Sequence, residues 1–249
     1  MLLPTLDSAP EDRLALAFDE ATLTYAQLRA AAGRVAARLD GVSRVAVLAE
    51  PRAETCVAVI GALLAGVPAV PLNPKSGASE LAHVVGDAAP EALLLAPGSP
   101  VPEAFDRRSA IEVDLKGGAD AQAAARPVEA GPEDPALIVY TSGTTGPPKG
   151  AVMPRRAIAS NLDALAEIWD WTAEDVVAHA LPLFHVHGLV VGVLGPVRRG
   201  GTVRHLGRFS PEAVLGAFTA EPPAIRATML FGVPTMYRRL ADAAVHRRD

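Results

Sequence analysis

The sequence predicts an α/β fold of mostly parallel sheets flanked by helices, and three observations predict it. Short, wholly apolar runs of strand length recur at 45–49, 92–95 and 136–140. Segments with apolar residues at helical spacing lie between them. The two kinds of segment alternate along most of the chain with no internal repeat.

Taken in order, Thr24 and Gln27 form the T-x-x-Q pattern of a capping box. Tyr25, Leu28, Ala32, Val35 and Leu39 follow at helical spacing, with Arg29, Arg34 and Arg38 on the other side. Residues 45–49 read as a parallel strand, 54–64 as a helix ended by Gly66, and 67–72 as the next strand. Pro68 and Pro71 place that strand near a sheet edge or end, because proline lacks a ladder donor. Residues 80–85 read as helix and 92–95 as a buried strand. Residues 116–135 are rich in Gly, Ala, Pro and acidic side chains, and read as a surface connection or subdomain boundary. The pattern resumes with a strand at 136–140 and a helix from Pro154, with Ile158, Leu162, Leu165 and Trp169 on one face. A strand at 176–181, a helix at 188–197 and a strand at 202–206 follow. Ser210, Pro211 and Glu212 start another helix. The last predicted elements are a strand at 228–232 and a helix from Pro234.

Half of the 249 residues are hydrophobic and 20% are charged, enough apolar material for a substantial core. A net charge of -5 argues against nucleic acid or an anionic membrane as partner. The single cysteine, Cys56, excludes an intrachain disulfide and a multi-thiolate zinc site, and its apolar neighbours predict a buried thiol. A cytoplasmic location is expected. No basic start followed by a long apolar core marks the N-terminus as a signal peptide. Residues 55–73 are uncharged, but Gly61, Gly66, Pro68 and Pro71 interrupt them, so a buried helix turning into a buried strand is expected rather than a membrane span.

The most informative segment is Tyr140-Thr141-Ser142-Gly143-Thr144-Thr145-Gly146-Pro147-Pro148-Lys149-Gly150. It follows an apolar strand and concentrates glycine, hydroxyl and lysine. Glycines let backbone N–H groups approach an anion, the hydroxyls of Thr141, Ser142, Thr144 and Thr145 can donate to phosphate oxygens, and Lys149 adds a mobile charge. A Gly/Ser/Thr-rich stretch is often only a turn. Here the preceding strand and the following lysine favour phosphate. The G-x-x-x-x-G-K-[ST] pattern is not matched, which disfavours a P-loop kinase or GTPase.

Two further segments bear on chemistry. Leu181-Pro182-Leu183-Phe184-His185-Val186-His187-Gly188 carries two histidines, and Phe231-Gly232-Val233-Pro234-Thr235-Met236-Tyr237-Arg238-Arg239-Leu240 carries two adjacent arginines. A histidine beside Phe and Pro is often a core residue, and both arginines can lie on the surface. On a helix the two arginines, about 100° apart, cannot point the same way.

The 140–150 segment resembles the signature of the adenylate-forming superfamily of acyl-CoA synthetases, luciferases and peptide-synthetase adenylation domains. The resemblance implies the N-terminal region of that fold, with the C-terminal lid absent, and residues 1–249 as a partial AMP-binding domain. It implies that Thr141, Ser142, Gly143, Thr144, Thr145, Gly146 and Lys149 hold the ATP phosphates, with Thr144 beside Mg2+. The 181–188 segment is similar to the family's P-L-F-H motif, which makes His185 the catalytic candidate at the carboxylate to be activated. The 231–240 segment is similar to G-V-P-T, which lines the acyl pocket. The run V-P-L-N-P-K-S-G-A-S-E-L-A-H from Val70 to His83, with F-H-V-H-G-L, resembles malonyl-CoA synthetases in particular. That resemblance assigns the distal carboxylate of malonate or methylmalonate to Arg239, with Arg238 as second choice and His187 and Met236 as further substrate-binding candidates. ATP, Mg2+ and coenzyme A are the implied cofactor and co-substrates.

The implied reaction forms an acyl-adenylate and then an acyl-CoA. The family's adenine, ribose, hinge and lid elements are not found in these residues, so the isolated chain is expected to show little synthetase activity. Another acyl or aryl adenylating enzyme, and a non-catalytic nucleotide-binding fragment, are the alternative readings.

Overall fold

The computed structural model describes residues 1–116, 128, 130–141 and 147–245. The chain first lays down a short helix α1 (Thr5–Ser8) and strands β1 (Leu14–Ala17) and β2 (Thr22–Thr24), and leaves them through α2 (Tyr25–Ala37). It then builds a separate sheet from β3 (Val45–Leu48), β4 (Ala69–Leu72), β5 (Ala92–Leu95), β6 (Ala110–Glu112), β7 (Pro135–Thr141) and β8 (Lys149–Pro154). Helices α3 (Ala53–Leu64) and α4 (Ala78–Ala88) connect successive strands there, and the connection from β6 to β7 joins two strands of this same sheet. Helix α5 (Arg155–Ile168) leads back to the first sheet, which β9 (Val176–His179), β10 (Thr202–His205) and β11 (Met229–Phe231) complete. A π-helix (His187–Leu194) runs into α6 (Gly195–Arg199), and α7 (Pro211–Phe218) and α8 (Pro234–Val245) follow.

The strand orders are β11-β9-β10-β1-β2 and β6-β5-β3-β4-β7-β8. Neighbours are parallel except β1 with β2 and β7 with β8, so the predicted mostly parallel α/β architecture is observed. The wholly apolar runs follow from burial on both faces of the second sheet. Val45 and Val47 join the large core with α2, α3 and the π-helix, while Ala46 and Leu48 face Leu81 and Val84 of α4. Cys56 is buried in that large core, as expected, and burial pushes its thiol up. Among the described residues no helix is long and apolar enough to cross a membrane.

Local signals locate several elements. Thr24 Oγ1 accepts from the Gln27 N–H while Gln27 Oε1 accepts from the Thr24 N–H, a complete capping box. Ser210 caps α7 by accepting from the Ala213 N–H at 3.0 Å.

Four details differ from expectation. β4 lies inside its sheet rather than at an edge. The Pro68 and Leu72 carbonyls bond to β3, so Pro71 turns its missing donor toward β7, where the pairing runs through Ala69 opposite Leu137. β8, with Lys149, Gly150 and Pro154, is a strand because it pairs with β7 along its length. β1 and β2 carry no strong local signal and are held by the pairing of Leu16 with Val203 on β10. Helix α5 buries Ile158, Leu162 and Ala166, whereas Trp169 lies just past its end and packs its ring on Phe231 at 5.1 Å.

Candidate functional site

The stretch read as a phosphate loop closes the β7–β8 hairpin. Thr141 and Lys149 stand directly opposite each other across it, and both are exposed. Ser142, Gly143, Thr144, Thr145 and Gly146 lie outside the described residues, including the Mg2+ candidate Thr144. A hydroxyl facing an ammonium group at the mouth of a strand-closed loop suits an anion. Among the described residues no cluster of three or more His, Cys, Asp or Glu could hold a metal ion.

Helix α4 braces both strands of this hairpin. Its His83 and Asp87, four residues apart, project together. The Tyr140 hydroxyl donates to Asp87 Oδ2 at 2.5 Å, and His83 Nε2 donates to the Pro148 carbonyl at 2.8 Å. Burial, and then the Asp87 carboxylate, hold the Tyr140 phenol above its ordinary pKa. A Cβ on Gly150 would meet the Tyr140 ring at 3.0 Å, so glycine there lets the ring lie across the hairpin. Sequence reasoning missed this brace. The only available signal was the H-x-x-x-D spacing on a predicted helix.

The segments read as the acyl side are brought together by strand pairing in the other sheet. β9 and β11 are parallel neighbours, with Phe231 opposite His179. Their carboxyl ends therefore emerge side by side, and the 181–187 segment meets the 231–237 segment. The His187 ring lies 6.5 Å from the Phe231 ring, and the Phe184 and His185 rings are 4.4 Å apart. His185 and His187 are both exposed. The floor beside His187 is aromatic, with Phe231 edge-on to buried Trp171 at 5.3 Å and Met236 half-buried against the same cluster. Arg238 is exposed on α8. Arg239 is also exposed and sets its guanidinium over the Phe209 ring, 4.9 Å from its centroid.

Phe209 also lines a cavity of about 1000 Å³. That cavity opens at the carboxyl ends of strands from both sheets, between the segments after β1, β9 and β10 and those after β3, β4, β5 and β6. Ligands of open parallel sheets bind at such ends. Leu181, Pro182, Leu183 and Phe184 contribute to its wall, together with Arg52 and Lys75. Among the described residues, Thr141, Lys149, His185, His187, Arg238 and Arg239 are not in the wall.

Two buried histidines were unread in the sequence, His205, which also lines this cavity, and His179 beside it. The His205 ring stacks on Phe18 at 5.0 Å and meets the His179 ring edge-on at 4.7 Å. Burial pushes the His205 pKa down to about 4. Burial, then His205 and His187, hold His179 well below the ordinary imidazole value. Both rings are neutral at physiological pH.

Residues 5–249 match the model of the AMP-binding enzyme family. A mitochondrial malonate–CoA ligase of Homo sapiens is 34% identical over 250 residues, covering 93% of this chain and 43% of the relative. A solved malonyl-CoA ligase, in a ternary product complex with methylmalonyl-CoA and AMP, superposes with a TM-score of 0.88 at 55% identity, covering 98% of this chain and 51% of that one. The ATP-bound MatB structure from Rhodopseudomonas palustris gives a TM-score of 0.79 at 32% identity, covering 96% of this chain and 50% of that one. The chain thus spans about half the length of these relatives.

Proposed function

This chain belongs to the AMP-binding enzyme family, and from that premise we propose that it supplies the phosphate loop and part of the acyl pocket of an ATP-dependent acyl-CoA ligase for malonate or methylmalonate. A carboxylate oxygen attacks the α-phosphorus of ATP and pyrophosphate leaves. The thiol of coenzyme A then attacks the activated carbonyl, and AMP leaves with the bonding electrons. Residues 1–249 form a partial N-terminal AMP-binding domain in this reading.

The chain need supply no nucleophile, so its contribution is positioning and charge neutralisation. Thr141 and Lys149, facing each other at the hairpin mouth, grip phosphate oxygens together with the loop between them. Mg2+, when bound, spreads the phosphate charge. His185 and His187 stand exposed, His187 beside the Phe231 ring that packs on Trp171, where an imidazole N–H can donate to a carboxylate. Arg239 on Phe209 offers a planar pair of donors suited to the distal carboxylate of a short dicarboxylic acid.

The observation that carries this reading is the β9–β11 pairing, which brings the histidine segment and the arginine helix to one edge of one sheet. The likeness to a ligase solved with methylmalonyl-CoA supports the choice of acid. The test is pyrophosphate release by the complete polypeptide containing these residues, with malonate, methylmalonate and acetate compared. Malonate and methylmalonate are expected to be preferred, and Arg239→Ala to lower kcat/KM for malonate about 100-fold while changing that for acetate little. Equal use of all three acids, or an Arg239→Ala variant that keeps the preference, would exclude the malonate assignment.

A further inference from the structure

The ladder of β9 ends at His179, yet Leu181, two residues on, is buried. A buried residue beyond a sheet must still place its backbone N–H and carbonyl. For Leu181 both partners are imidazoles. His179 Nδ1 accepts the Leu181 N–H at 3.4 Å, and His205 Nε2 donates to the Leu181 carbonyl at 3.3 Å. His205 Nδ1 is itself occupied, accepting from the Gly207 N–H at 3.0 Å.

Neighbouring elements leave neither ring free to swing. The Phe18 ring at the end of β1 stacks on His205. A Cβ on Gly192, inside the π-helix, would fall 2.8 Å from His179 Nε2 and Cε1, so the His179 ring occupies the space a side chain would take there. The two rings thus tie the ends of β1, β9 and β10 and the π-helix to one backbone unit. That unit is where the 181–187 segment leaves the sheet.

A purely packing role does not account for these residues. Leucine at either position would fill apolar space without bringing a polar atom, whereas His179 Nε2 is buried with no hydrogen-bond partner among the described residues. What leucine could not do is serve the Leu181 N–H and carbonyl.

We propose that His179 and His205 are positioning residues that clamp Leu181 from both sides and thereby set where Phe184 and His185 stand at the acyl site. His205 also lines the cavity of about 1000 Å³, and the proposed role of both rings is exerted through Leu181. The role rests on the reading of residues 181–187 as the acyl-carboxylate side of a malonate ligase.

The test is nuclear magnetic resonance of the full chain with labelled histidine and leucine, alongside the pyrophosphate assay. Both buried rings are expected as neutral Nε2–H tautomers at pH 7, and an Nδ1–H tautomer on either would overturn the clamp. His179→Leu and His205→Leu are expected to move the Leu181 amide and the His185 ring resonances. His179→Asn, which restores an acceptor at the Nδ1 position, and His205→Gln, which restores a donor at the Nε2 position, should return them toward their original values. If the leucine variants do not fold, the ring tautomers and the two amide variants decide the matter. Amide variants that leave the Leu181 signal as displaced as a full loss of the ring would overturn the proposal.

In the assay on the complete polypeptide, the folded leucine variants should lose about tenfold in kcat/KM for malonate with the KM for ATP unchanged, and the amide variants should recover most of it. An unchanged malonate kcat/KM in the folded leucine variants would overturn the positioning role. No malonate-dependent pyrophosphate release by the unsubstituted polypeptide would remove the functional reading alone, leaving the clamp to be judged by the tautomers and the Leu181 amide.

Discussion

The β7–β8 hairpin and the ends of β9 and β11 serve one proposed reaction but are built on opposite physical plans. The hairpin is steadied from outside by polar contacts with α4, Tyr140 to Asp87 and His83 to Pro148, and carries its charge on exposed Lys149. The proposed acyl side rests on buried rings, Trp171, Phe231, His179 and His205, with His185 and His187 exposed. A phosphate tail is solvated and highly charged, so residues that grip it need donors and charge at the surface. A short acid that must be aligned for attack needs a rigid floor. Stability and ligand affinity should therefore come apart between the two regions.

The largest expected effect is on the floor. Trp171 is 2% exposed and packs edge-on to Phe231, so Trp171→Ala should lose about 3–5 kcal/mol through lost burial and the cavity left behind. Lys149→Ala, on the exposed hairpin, should change stability by less than about 0.5 kcal/mol while weakening ATP. Urea unfolding of the two variants reads the contrast. Similar losses in both would mean that the two regions are not built differently.

Acid should separate the regions next. The His205 pKa in the folded state is about 4, below the ordinary imidazole value of 6.5. The unfolded chain therefore binds the proton first as pH falls. The contribution of neutral His205 is fully present above pH 6.5, is lost as pH falls toward 4, and changes little below that. The loss amounts to about 3 kcal/mol from His205, and His179, shifted the same way, adds to it. His205→Gln should flatten this slope in unfolding curves measured at pH 7, 6, 5 and 4. A slope unchanged by the substitution would place the acid sensitivity elsewhere.

The same contrast governs what was legible in the sequence. Second-sheet strands such as 45–48 and 92–95 could be read because burial on both faces makes their sequence wholly apolar. Thr24 and Ser210 announced helices because caps are local chemistry. β8 could not be read, since Lys149, Gly150 and Pro154 look like loop, and only pairing with β7 makes them a strand. β1 and β2 were missed for a related reason, because the partner of Leu16 is Val203, far along the chain. The segments proposed to hold phosphate and the acid could be read as motifs. Their supports could not, because His83, Asp87, His179 and His205 act through residues distant in sequence or through backbone groups that leave no mark on composition.

The next effect is steric. A Cβ at residue 150 would press on the Tyr140 ring at 3.0 Å and on Ile138 Cγ2 at 3.1 Å. Gly150→Ala should therefore cost about 1–2 kcal/mol by displacing the ring from its place over the hairpin. Tyr140→Ala in the same chain should relieve most of that increment, leaving the pair far from additive. Full additivity in a double-mutant cycle measured by urea unfolding would show that the ring is not what glycine accommodates.

The smallest effect on stability should fall on the brace itself. Tyr140→Phe keeps the ring and removes one partly exposed hydrogen bond to Asp87, which should cost about 0.5–1 kcal/mol. Its effect on nucleotide affinity should be larger in proportion. Thr141 and Lys149 adjoin Tyr140 and its cross-strand partner Gly150 in the ladder, so a hairpin that rocks on α4 carries both residues proposed to hold phosphate with it. Calorimetric titration of the complete polypeptide with MgATP should show affinity reduced about three- to tenfold in Tyr140→Phe, and similarly in His83→Ala. In Trp171→Leu, which disturbs the floor but leaves the brace, ATP affinity should be unchanged and malonate affinity reduced. The reverse assignment, with brace variants sparing ATP and the floor variant weakening it, would dissolve the division between a surface-braced phosphate grip and a core-built acyl floor.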